Sequence, residues 1–189
     1  MINQIRPQMD LKKEVLKEHS KAQAHKLADY VGNSASRFKE LVEVYLTGPY
    51  RITQRAAWPL SICAEKHPDL ILPHLKKLLD FLSKPGIHDS VKRNTIRLLQ
   101  FIAIPKRNYG QVTGICFEYL QSKNEPIAVK VFSMTILSKI MKDEPDLRNE
   151  LKLIIEDQMP YGSAGFISRG KKVLKQIDQL SKITIKKSV

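Results

Sequence analysis

Cysteine is scarce in this chain. Cys63 and Cys116 are the two present, 53 residues apart within apolar runs. Neither has a second Cys or a His at metal-ligand spacing, which excludes a disulfide framework and a zinc module and reads both as buried free thiols in a reducing compartment. Long apolar runs are also missing. None approaches the roughly 18 residues of a membrane span, and the opening MINQIRPQMDLKKEVL has no apolar core of a signal peptide. The expectation is a cytoplasmic protein with no membrane segment. Acidic residues are few, 19 against 32 Lys and Arg, giving a net charge of +13. Such an excess points to an anionic partner, the alternative being a basic surface with no specific use.

Catalytic patterns are absent as well. His67 and His74 straddle Pro68 and Pro73, and His19 and His25 are six residues apart, on different faces of a helix. Both pairs read as surface histidines. The loop Gly162-Ser-Ala-Gly165 lacks the lysine and spacing of a phosphate-binding loop. It reads as a wide turn, with anion binding at the next helix's N-terminus as the alternative. No Ser/His/Asp or Cys/His arrangement can be read from spacing, and no metal or cofactor is expected.

What the chain does have is a repeat. Hydrophobic residues make up 42% and charged residues 27%, ordinary values for a folded protein. At an offset of 38 residues, SVKRNTIRLL (90–99) lies over AVKVFSMTIL (128–137), and LLDFL (78–82) over CFEYL (116–120). A fixed period of this length is the signature of stacked helix pairs, each too small to bury its apolar face alone.

Leu72-Pro73, Leu75, Leu78-Leu79, a turn with Asp89, then Val91-Lys92 and Leu98 resemble the HEAT repeat, in which an LPxLxxLL helix precedes one opening with Val-Arg. The resemblance covers roughly residues 36–180. One departure is that the usual Arg after the Val is Lys92 here, Lys130 in the next unit and Gln54 in the one before. The resemblance implies an all-α, right-handed α-α superhelix of about four helix pairs behind an N-terminal capping helix.

In order, residues 9–31 read as that capping helix, with Asp10 as N-cap and Leu11, Val15, Leu27 and Val31 on its apolar stripe. The repeats are 36–66, 69–105, 108–142 and 145–180, in one domain without a linker. Phe38, Leu41, Val42 and Tyr45 fall in step with Leu75, Leu78, Leu79 and Leu82. Pro59 should kink the helix from about Arg51 to Lys66 near Arg55. The last helix is expected at Phe166–Leu180. Residues 1–8 read as frayed, and the basic tail 181–189 as mobile.

Charge is uneven. Residues 49–126 carry a net +6, residues 127–162 a net −1, and residues 163–189 again a net +6. Arg55, Arg93 and Arg169 occupy one repeat position, separated by 38 and 76 residues. At about 100° per residue, Val91, Thr95, Leu98 and Ile102 form a buried stripe, which turns Arg93, Arg97 and Gln100 to solvent. The resemblance implies that such second helices line the concave surface. The expected binding surface is therefore Arg55, Arg93, Arg97, Arg169 and Lys172, with Trp58, one turn beyond Arg55, as a stacking or anchoring aromatic. The competing reading makes each Arg a zip to a neighbouring carboxylate, with Glu65, Asp89 and Glu125 as candidates, and makes Trp58 a packing residue.

Two functions follow. The first is a non-enzymatic binding module that grips an acidic protein segment or a nucleic-acid backbone. The second comes from a further resemblance, to the HEAT-like alkylpurine DNA glycosylases, which hold DNA in a groove with aromatics, an Asp and an Arg. Here Arg55 and Trp58 supply an Arg and an aromatic, but Ile62 stands one turn past Trp58 and no groove Asp can be assigned.

Overall fold

The computed structural model describes residues 9–187, with side chains described through residue 182. The expectations for residues 1–8 and for the last two residues of the tail lie outside the described residues. Among those described, every regular element is helical. The chain divides into two compact units, Met1–Ala103 and Ile104–Val189.

In the first unit, α1 (Leu11–Lys17), α2 (Lys21–Val31), α3 (Ala35–Thr47), α4 (Tyr50–Lys66), α5 (Leu75–Leu82) and α6 (Asp89–Leu99) follow in order. The expected single capping helix is two. Ser20 interrupts it because its side chain accepts from the Gln23 N–H at 3.1 Å, starting a new helix after an extended Glu18. The Asp10 cap and the burial of Leu11, Val15, Leu27 and Val31 are as expected. Gln23 then donates to the Glu14 carbonyl at 2.7 Å, folding α2 back against α1. Gly32 ends α2 with φ +51°, a conformation other residues adopt at a cost.

Helix α4 is the hub, packing against α1, α2, α3 and α6. It runs unbroken through Pro59, which is buried. Between α3 and α4 the chain must turn tightly. A Cβ at Gly48 would lie 2.6 Å from the Ile52 side chain and 2.7 Å from the Val44 carbonyl. The second repeat does not open as an α-helix. Pro68–His74 is a 3-10 helix, because Pro73 has no N–H to offer the carbonyl of Asp69 and its ring crowds that turn. The apolar residues nevertheless land where periodicity put them. Phe38, Leu41, Val42, Tyr45, Leu75, Leu78, Leu79 and Leu82 are all buried, as are Val91, Thr95, Leu98 and Ile102.

Glu14 closes the N-terminal pair. Its carboxylate accepts from Lys17, from Lys26 at 3.2 Å and from Gln23, and the Lys17 bond above all pulls its pKa down to about 2. A carboxylate whose pKa falls on folding stabilises the fold above its ordinary value and loses that contribution as pH drops toward the folded one. The melting temperature is therefore expected to fall between pH 4.5 and about 2. The drop should be smaller in Glu14→Gln, and equal drops in the two proteins would contradict this role.

In the second unit, α7 (Tyr109–Gln121), α8 (Ile127–Ile140), α9 (Leu147–Gln158) and α10 (Ala164–Lys187) form two further pairs. Helix α8 packs against α7, α9 and α10. Arg148, buried at the start of α9, donates from Nε to the Met141 carbonyl just past α8 at 3.2 Å. The expected wide turn over Gly162–Gly165 is shorter, Gly162 and Ser163 alone, because Ala164 and Gly165 already belong to α10. Ser163 caps α10 by accepting from the Phe166 N–H at 3.3 Å, and a 3-10 turn, Met159–Tyr161, precedes it. Helix α10 does not stop at Leu180 but continues to Lys187, since neither Gly nor Pro occurs after Gly170 to end it.

Cys63 and Cys116 are buried free thiols. Burial pushes both up to about 12, so neither is a nucleophile at neutral pH. Among the described residues no helix is long and apolar enough to cross a membrane, and no three His, Cys, Asp or Glu cluster as a metal site would need.

Candidate functional site

Where α2, α4 and α6 meet, the first unit has a cavity of about 350 Å³ lined by Lys21, His25, Trp58, Ile62, Glu65, Lys66 and Arg97. Two of the residues singled out from the sequence, Trp58 and Arg97, face it together. Trp58 is half-buried, with the His19 ring edge-on to it at 5.9 Å. Trp58 lines this cavity, but the repeat position it occupies does not do so throughout. Its counterpart one repeat later, Ile96, is fully buried.

The arginines differ in what they touch. Arg55 donates from Nη1 to the Leu16 carbonyl at 2.6 Å, satisfying one of the free carbonyls at the end of α1. Arg97 donates from Nη2 to Glu65 Oε2 at 2.8 Å, tying α6 to α4, and its guanidinium lies 5.6 Å from the Phe101 ring centre. The Arg97–Glu65 contact is a zip of the kind the competing reading expects, whereas Arg55 meets a backbone carbonyl and no carboxylate. Arg97 remains partly exposed, however, and Arg93, one turn earlier on α6, is exposed. Arg169 and Lys172 belong to the second unit. Both lie on α10, where Arg169 is half-buried and Lys172 exposed.

Three lining residues were not expected at a binding surface. Lys21 and His25 come from α2, whose place beside α4 is a long-range fact of packing. Lys66 is held by Asp29 of α2 at 2.6 Å. Glu65, expected as a possible zip partner for an arginine, also supplies a carboxylate to Trp58's own cavity, two turns beyond Trp58. Its carboxylate is already engaged by Arg97.

Chemically, the cavity offers one indole, one isoleucine and three ammonium or guanidinium groups around a single paired carboxylate. That arrangement holds an apolar or planar group with negative charge beside it. A family model for the HEAT repeat domain matches residues 11–177. No curated protein matches the chain. Among solved structures, the crystal structure of an engineered protein is similar at 16% identity and a TM-score of 0.49, over 91% of this chain and 100% of that one.

Proposed function

Because the chain belongs to the HEAT repeat domain family, whose stacked helix pairs present extended surfaces to partners, we propose that it is a non-enzymatic binding module for an anionic partner. The occupant we favour for the α2–α4–α6 cavity is an acidic protein segment. The observation that carries this reading is the company Trp58 keeps. Lys21, Lys66 and Arg97 line one concavity with the chain's single tryptophan. An apolar or aromatic side chain of the partner would enter beside Trp58, and flanking carboxylates would meet the cations and Arg93. A nucleic-acid backbone is supported less well. Asp29 on Lys66 and Glu65 on Arg97 interrupt the cations, whereas a phosphate chain calls for an unbroken row.

The experiment compares an acidic peptide with single-stranded DNA at increasing salt, using alanine variants. Arg93→Ala should weaken peptide binding several-fold with an unchanged melting temperature, since Arg93 is exposed. Arg55→Ala and Arg97→Ala should also lower the melting temperature, because each ties helices together. Lys172→Ala, at an exposed position of α10, measures what the second unit adds. Substitutions that lower stability while leaving peptide affinity untouched would reduce the arginines to zips. Tighter, steeply salt-dependent DNA binding would move the reading to nucleic acid, and excision of alkylated bases would replace it with the glycosylase.

A further inference from the structure

The second unit has a concavity of its own. About 420 Å³ lies among Lys123, Ile127, Lys130, Asp157, Gln158 and Phe166, with Tyr161 at its mouth. Its deepest charged group is Lys130, on the first turn of α8 and only 9% exposed. Lysine is rarely buried to this degree without a charged partner. Lys130 Nζ donates to Gln158 Oε1 at 2.8 Å. Gln158 is fixed in that role, because its own amide N–H donates to the Leu120 carbonyl at 3.0 Å and so turns the oxygen toward the lysine. A neutral amide oxygen takes one of the ammonium's three protons. Burial lowers the pKa of Lys130, and the charge of Glu125 opposes that effect without cancelling it. An anion entering the cavity would offer what the amide cannot.

The remaining lining narrows the ligand. Of the six large hydrophobic side chains that stand exposed among the described residues, two flank this cavity, Ile127 at 44% and Tyr161 at 92%. Two lysines stand on the lining against the Asp157 carboxylate, and Glu125 acts on Lys130 from beside it, so no large positive excess remains. That balance suits a single carboxylate better than a polyanion. Asp157 in turn can accept from an N–H donor, and the volume falls in the range of small-ligand pockets.

We propose that this cavity binds an α-carboxylate carrying an apolar side chain, as presented by the C-terminal residue of a peptide or by a free amino acid. Lys130 takes the carboxylate, Asp157 the neighbouring N–H, and Ile127 and Tyr161 the side chain. Nothing in this assignment depends on the cavity around Trp58.

Amide NMR of the 189-residue chain tests it with three probes: acetyl-glycyl-alanyl-leucine, the same peptide with a C-terminal amide, and free leucine. The acid should shift resonances of Gln158, Ile127 and Tyr161, and the amide should bind about tenfold or more weakly. If free leucine matches the acid, the source is a free amino acid; if it binds far more weakly, the source is a peptide end. Either result supports the site. Equal binding of acid and amide overturns it, as does the absence of shifts with all three probes. Lys130→Gln should remove the preference for the acid, and Lys142→Gln, at an exposed lysine, should keep it. An acid preference that survives Lys130→Gln also overturns the assignment. The acid–amide comparison needs no variant, so it decides the matter even where Lys130→Gln fails to fold.

Discussion

Replacing Tyr45 by alanine should cost about 3–5 kcal/mol, the largest stability loss expected from one side chain of the first unit. Tyr45 is fully buried on α3. Its ring meets the Phe81 ring edge-on with 5.1 Å between centres, a contact between α3 and α5. Its hydroxyl bonds the Thr95 hydroxyl on α6. Thr95 Oγ1 already donates to the Val91 carbonyl at 2.8 Å, so Tyr45 is the donor of the pair. One side chain thus joins three helices. Tyr45→Phe keeps the ring and loses the donor, and should cost about 1 kcal/mol. Chemical denaturation of both variants separates the two contributions. A Tyr45→Ala loss below about 1 kcal/mol would mean that the three helices do not depend on this contact.

Leu79→Ala and Leu98→Ala should each cost roughly 2–5 kcal/mol. Both leucines are at 0% exposure, on α5 and α6 respectively, inside a unit whose neighbours cannot close over the lost methyl groups without moving a helix. Leu153→Ala is the control. Leu153 is 68% exposed on α9, so its loss should stay within about 0.5 kcal/mol. Similar losses at all three positions would show that the buried stripes were wrongly assigned.

These leucines were legible because they obey one rule along one helix. Val91, Thr95 and Leu98 needed nothing beyond the helical period to be placed inside. Where the sequence reading went wrong, a single side chain or ring decided the backbone. The break at Ser20 had a readable sign, a serine three residues before Gln23, but the apolar stripe continued across it and hid the cap. Leu72-Pro73 reads as part of an LPxLxxLL helix, yet Pro73 cannot make the hydrogen bond an α-turn needs there, and Pro68–His74 is a 3-10 helix instead.

The site around Trp58 was legible only in part, for a different reason. Trp58 and Arg97 stood out by type and repeat position. The pairing of Glu65 with Arg97, 32 residues apart, is one of several zips the sequence allows, and nothing in the repeat singles out that of Lys66 with Asp29, 37 residues apart. Lys130 was noticed only as the residue replacing a family arginine. Its burial depends on Gln158, 28 residues further on.

The most direct test of the binding reading uses the chain's only tryptophan as its own reporter. Trp58 lines the proposed cavity, so its fluorescence should change on titration with an acidic peptide carrying one aromatic residue. The apparent affinity should fall as salt is raised, and both responses should weaken in Arg93→Ala. A peptide that binds without altering Trp58 emission, or one whose affinity ignores salt, would contradict the account.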